Sequence, residues 1–263
     1  MSGDEVLALI AALFVILITW IQWLSTALKI DRFHPSRSTH AVVGGSVVAA
    51  AVLLFVALRL WASWDVRDST LYTAFYLFIG AAFIGGTLLL LAAMGLSLRD
   101  DVLERFNPAA TITIAGTILG STTAFAGANI GDGPGWWVVI FCALLSNGAM
   151  LTGWVILDRL VGTGEAITVD RDRATAWRAA GWFTASGIIF GRGAAGNWTS
   201  VEAAIQDFLK VGVGGWVLLT IVVAAEYMLR PRNSQRTPLL AGLLPAVIYL
   251  CGALAYVILL YPL

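Results

Sequence analysis

The chain has 263 residues, no formal net charge, 59% hydrophobic residues and only 12% charged ones. So little charge cannot coat a soluble domain, and a neutral chain has no long-range field to gather nucleic acid, which is therefore not an expected partner. The composition suits a bilayer, and the expected fold class is all-α, a polytopic integral membrane helical bundle.

A spanning helix needs ~20 predominantly apolar residues, because lipid offers its backbone no hydrogen-bond partner. Eight such stretches are predicted in chain order: 6–28, 41–63, 71–96, 109–127, 136–157, 174–190, 211–229 and 239–261. The first follows the acidic segment ending at Glu5, has no basic leader and is longer than a signal core, so it is expected to be retained. Pairing the stretches gives one unit four times, an apolar helix, a short basic loop and a second apolar helix, at a period of sixty to seventy residues. The whole chain then reads as one membrane domain of four hairpins, at about 6–63, 71–131, 134–198 and 208–262.

The second helix of each pair begins alike. Arg37, Ser38, Thr39 and His40 precede Ala41; Asn107 and Pro108 precede Ala109; Asp172 and Arg173 precede Ala174; Thr237 and Pro238 precede Leu239. Short polar side chains cap free backbone donors, and Pro suits a first helical turn. Glycines follow in each of these helices, at Gly45, Gly116 with Gly120, Gly181 with Gly187 and Gly191, and Gly242. They are expected to pack helices, because in lipid, association depends on close approach of backbones.

The four loops inside the hairpins hold 12 of the 16 basic residues, including Lys29, Arg32, Arg37, Arg99, Arg105, Arg159, Arg171, Arg173, Arg178, Arg230, Arg232 and Arg236. Short Lys- and Arg-rich loops stay in the cytoplasm, which predicts both termini outside. Trp61, Trp64, Trp136, Trp137 and Trp198 are expected at the outer interface and Trp20, Trp23 and Trp177 at the inner one.

Polar residues inside apolar helices are the natural place to look for function. Thr113, Thr117 and Ser121 recur at helical spacing in the fourth stretch, and Ser146 and Asn147 sit in the middle of the fifth. They form either a polar path between these helices or hydrogen bonds within the bundle. Glu226 stands four positions before Arg230 and is expected to pair with it or to snorkel to water, as are Arg59 and Arg192. The amphipathic stretch 199–210 is either a surface helix or an extension of the seventh span.

No cofactor is expected. The only histidines, His34 and His40, share one loop region and cannot clamp a haem from facing helices, and no metal-ligand spacing occurs. The glycine-rich run 131–135 lacks the Lys and hydroxyl of a phosphate loop and reads as a turn. Cys142 and Cys251 read as small buried apolar residues.

Three stretches resemble the YjfL-like bacterial inner-membrane family, a domain of unknown function: the helix 76–82, the segment 107–120 with its Asn-x-Ala-Ala start and Gly-Thr-x-Leu-Gly continuation, and the segment from Asp172 to Gly191. The resemblance covers about half the chain, residues 76–200. At its second site this chain has Asp172-Arg173-Ala174 where the family has Asn-x-Ala. The resemblance implies four spanning helices, so the outer pairs are extra copies, and an envelope-associated role near peripheral membrane-coat proteins. It carries no catalytic residues.

The expectation is a non-enzymatic, multi-pass inner-membrane protein, a scaffold or subunit of a cell-envelope complex. Its partners are membrane lipids, other membrane subunits or a peripheral cytoplasmic coat protein, and it is able to oligomerise. The alternative is a channel or small-solute transporter with its polar path between helices four and five.

Overall fold

Asn107 shows how the chain turns back into the bundle. Its side-chain oxygen accepts from the backbone N–H groups of Ala109 (2.9 Å) and Ala110 (3.3 Å), Pro108 takes the first helical position, and Phe106 just before it has φ +49°. Asp172, 65 positions later, does the same for Ala174 (3.4 Å) and Thr175 (3.0 Å), with Arg171 before it at φ +55°. The Asn107 N–H donates to the Asp101 carbonyl and the Asp172 N–H to the Ala166 carbonyl, both at 2.9 Å. Left-handed backbone at a residue with a Cβ costs ~1 kcal/mol or more, so its use twice in the same place reflects a shared local design.

The computed structural model describes residues 1–31, 37–230 and 238–262, with side chains for all of these except 22, 29–31, 37 and 38. Lys29, Arg32, His34, Arg37, Ser38, Arg232, Arg236 and Thr237 therefore lie outside the described side chains. The helices are α1 (Gly3–Ile16), α2 (Gln22–Asp31), α3 (Arg37–Leu60), α4 (Trp64–Arg67), α5 (Thr70–Ala93) and α6 (Pro108–Ala128). They continue with α7 (Trp136–Val161), α8 (Thr163–Thr168), α9 (Arg173–Ala194), α10 (Val201–Leu229) and α11 (Leu240–Leu260). A π-helical turn, Leu17–Ile21, joins α1 to α2, and a second, Leu98–Glu104, precedes α6. No strand occurs among the described residues, only bridges from Ala62 to Ile130 and Gly131.

Two layers result. α3, α6, α9 and α11 run the same way and form a row, each packed on the next. α5, α7 and α10 run the opposite way and lie over its grooves, α5 on α3 and α6, α7 on α6 and α9, α10 on α9 and α11, while α1 rests on α5. The chain reversals gather at two ends. Residues near 62, 130 and 197 meet at one, and Asn107 reaches the Ile167 carbonyl (2.8 Å) at the other.

Glycine decides how close the row packs. A Cβ on Gly116 would strike Ala180, on Gly120 the Phe183 carbonyl, on Gly187 the Gly120 carbonyl and on Gly127 the backbone of Gly191. Gly181 faces Ala246 and Gly242 faces Ala174 across the next seam. Gly45 is the exception: it is exposed and nothing lies near it, because α3 buries Ser46 and Ala50 instead.

Seven described helical segments are long and apolar enough to cross a membrane: Gly3–Leu28, Thr39–Leu60, Thr70–Ala93, Pro108–Ala128, Trp136–Val161, Val201–Leu229 and Leu240–Leu260. The expected stretch 174–190 falls inside α9, a regular helix of 22 residues that is not among them. Arg173, Arg178 and Arg192 and its Gly, Thr, Ser and Trp residues lower its hydropathy, and sixteen of its residues are buried. A helix that meets protein on all sides has no need of lipophilic side chains. The outermost helices show the converse, with only 18% of the apolar window buried in the first segment and 17% in α11, against 78% in α6. The stretch 199–210 is continuous with the following span in the 29-residue α10, an extension and not a separate surface helix.

Candidate functional site

Thr113, Thr117, Ser121, Ser146 and Asn147 are all buried, on α6 and α7. The Thr113 hydroxyl donates to the Ala109 carbonyl (3.1 Å) and that of Thr117 to the Thr113 carbonyl (3.0 Å), so both bond back along their own helix. The Ser146 hydroxyl reaches the Ala124 carbonyl of α6 (3.2 Å) as well as Cys142 (3.0 Å). Ser121 donates to Asn147 Oδ1 (2.7 Å), and the Asn147 amide donates to the Ala143 carbonyl (3.1 Å). Thr87 of α5 completes this group, its hydroxyl 3.1 Å from Ser121 Oγ and 2.9 Å from the Phe83 carbonyl. Three helices are thus tied by one polar cluster whose groups are used on each other, which favours a fixed contact over a wet path.

Beside this cluster runs a cleft of about 640 Å³ between α1, α5 and α7. Ala8, Ala11, Ala12 and Val15 form one wall, Phe83, Gly86 and Leu90 the floor, and Ile140, Leu144 and Gly148 the other wall, with Thr87 and Asn147 as its polar points. Exposed Leu89, Leu90 and Leu144 form its lip, so it opens sideways from the bundle. At one end the Trp136 indole N–H donates to Asp4 Oδ2 (2.9 Å) across the gap between α7 and α1. That end of the molecule is acidic, with Asp4, Glu5, Asp65, Asp68, Asp132, Glu202 and Asp207 against Arg59, Arg67, Arg192 and Lys210.

The strongest electrostatic feature lies near the opposite end. Arg178 of α9 and Glu226 of α10 are 0% and 1% exposed and paired through two bonds, Nε to Oε1 at 2.5 Å and Nη2 to Oε2 at 2.9 Å. Two further donors go to the Ala241 carbonyl of α11 (2.8 Å) and Thr175 Oγ1 (2.9 Å), and Thr175 in turn donates to the capping carboxylate of Asp172 (2.8 Å). This corrects two expectations. Arg178 is a buried helix residue and not a loop cation, and Glu226 takes Arg178 and not Arg230, which binds the Val161 carbonyl.

Other expected residues fall as follows. Trp61, Trp64, Trp136, Trp137 and Trp198 gather at the acidic end, whereas Trp20 sits in the π turn and donates to the Ala81 carbonyl of α5 (2.9 Å), with Thr19 against Gly85. Arg192 is bound by the Tyr261 carbonyl (2.7 Å), Pro262 (2.9 Å) and Ala195 (3.3 Å), so its charge is held by protein. Gly131 has φ +107° and Asp132 N–H donates to Asn197 Oδ1 (2.9 Å), the geometry of a turn. Cys142 is buried, but Cys251 lies on the outward face of α11.

No protein-family model matches the chain, and neither the curated proteins nor the solved structures yield a similar one. The geometry therefore carries the functional argument. Thr87 is the site residue that sequence reasoning passed over, and Arg178 is the one it assigned to a loop. Thr87 is a single polar residue in the apolar run 81–91, a signal that was legible; Arg178 was hidden by its basic neighbours.

Proposed function

We propose that this chain is a non-enzymatic, multi-pass protein of the bacterial inner membrane that serves as a scaffold or subunit of a cell-envelope complex. It crosses the membrane eight times as four parallel hairpins, α9 being the crossing that its composition conceals, with both termini outside. The recurrence of the capping geometry at Asn107 and Asp172, 65 positions apart, supports an origin by duplication. Its kinship is with the YjfL-like family on the stretches named above.

One observation carries the functional reading. Between α6 and α7, where the alternative reading puts a polar path, Thr113, Thr117, Ser121, Ser146 and Asn147 spend their hydrogen bonds inside the bundle, and on its other side α6 meets α9 backbone to backbone along Gly116, Gly120, Gly127, Gly187 and Gly191. A dry seam of this kind serves rigidity, while the sparsely buried α1, α3 and α11 leave broad apolar flanks for lipid or for other subunits. Basic residues at the end bearing Arg99, Arg159 and Arg173 suit anionic headgroups or a peripheral coat protein.

Chemical cross-linking in intact membranes, followed by purification in mild detergent and mass spectrometry, tests this reading. A reproducible membrane partner or a homo-oligomer supports it, and a solitary monomer overturns it. Proteoliposome flux of ions or small solutes that is abolished by Asn147→Leu would establish the channel instead.

A further inference from the structure

The cleft between α1, α5 and α7 is built open, and its openness is not explained by helix packing. Gly86 and Gly148 sit mid-helix on its floor and wall, and a Cβ added to either meets nothing within 4 Å. A helix-interior glycine costs ~0.5–1 kcal/mol relative to alanine, and here no close approach of another backbone offsets it. Ala8, Ala11 and Ala12 opposite are equally small. Along α7 the cleft runs from Trp136 to Leu151, about 22 Å at 1.5 Å per residue. The cleft is narrow, apolar along nearly its whole length and open sideways past Leu89, Leu90 and Leu144, a shape that suits an acyl chain entering from the bilayer.

The mouth of the cleft adds charge to this shape. Asp4 is exposed there and its carboxylate takes hydrogen bonds from the Ser2 side chain and the Trp136 indole, while Glu5 is engaged by the Ser2 N–H (2.7 Å) and the Tyr72 hydroxyl (3.3 Å). The surrounding end carries seven side-chain carboxylates against four side-chain cations and the Met1 ammonium, which lies 4.0 Å from Glu5. We propose that the cleft is a binding site for one membrane lipid with an ammonium headgroup, its acyl portion lying against Gly86 and Gly148 and its ammonium beside Asp4. The site goes beyond the scaffold reading and does not depend on it. Ligand sites of this volume, mostly apolar with a few placed polar groups, are the ordinary kind.

Native mass spectrometry on the purified full chain, equilibrated in mixed micelles of phosphatidylethanolamine and phosphatidylglycerol with the same acyl chains, provides the test. The expected result is one tightly retained lipid, with the ethanolamine form enriched about fivefold. Gly86→Leu with Gly148→Leu should lower retention about tenfold while gel-filtration elution and helicity stay unchanged, and Ala11→Leu should do the same from the opposite wall. Asp4→Asn should keep the lipid but lose the headgroup preference. Equal or greater retention of phosphatidylglycerol by the parent protein, or undiminished retention in both filled-cleft proteins, would overturn the site.

Discussion

Arg178 and Glu226 stand 48 positions apart, and no local pattern in the chain announces that they meet. The four-residue spacing of Glu226 and Arg230 is a stronger sequence signal, because helical neighbours at that spacing face each other. Burial decides otherwise: Arg178 is fully enclosed and needs a carboxylate more than an Arg at the helix end does. Replacing Glu226 with Gln leaves that guanidinium buried and uncompensated, with an expected loss of about 3–5 kcal/mol in reversible unfolding in detergent. Arg178→Met combined with Glu226→Leu should recover most of it, since an apolar pair of similar size carries no desolvation cost. Nearby Tyr249 tests the same logic from the other side. Its hydroxyl is buried with no hydrogen-bond partner, so Tyr249→Phe should change stability by less than about 0.5 kcal/mol or raise it slightly.

At the scale of the helices, the α6–α9 seam has no give on either side, because what meets Gly127 is the backbone of Gly191 and not a movable side chain. Gly127→Val should therefore cost about 2 kcal/mol or more in the same unfolding measurement, by forcing the two helices apart. Gly45→Ala should instead gain about 0.5–1 kcal/mol, as its Cβ points into open space. This contrast also shows how far the helices were readable in the sequence. Most of their apolar lengths were legible to within a few residues, because the demand of lipid for a satisfied backbone is written directly into composition, but α10 begins ten residues before the predicted 211 and the stretch 174–190 is too little apolar to count by composition. The small-residue spacing marked Gly116, Gly120, Gly187 and Gly191 as packing positions, but spacing cannot say which face of α3 turns inward, so Gly45 was placed wrongly and Gly127 was overlooked. Of the candidate site, Ser121 and Asn147 were legible as polar residues in apolar runs. The cleft beside them was not, because a void is a property of three helices together and depends on α1 lying against α5 and away from α7.

At the scale of the whole molecule, the described residues nearest both chain ends lie at the same end of the bundle. Asp4 bonds Trp136 at the acidic end, and Arg192, at the close of α9, holds the carbonyls of Tyr261 and Pro262. The turns at 130–132 and 196–198 are joined there too, through Gly196 N–H to the Ile130 carbonyl (2.8 Å) and Trp198 N–H to the Asp132 carbonyl (2.7 Å). Seven crossings would separate the termini, whereas eight return them to one side, so the count rests on α9. Single cysteines at Gly133, Val169 and Thr199, all exposed and outside the long helices, decide it. With Cys142 and Cys251 replaced by Ala, a membrane-impermeant thiol reagent applied to intact cells should modify the first and third and spare the second. Labelling of Gly133→Cys alone would mean that α9 does not cross, even though the hydrogen bonds between Asp132 and the segment at Asn197 and Trp198 require the two turns to share a surface. Labelling of Val169→Cys alone would keep eight crossings but invert them, placing the arginine-rich end outside against the charge bias that short loops follow.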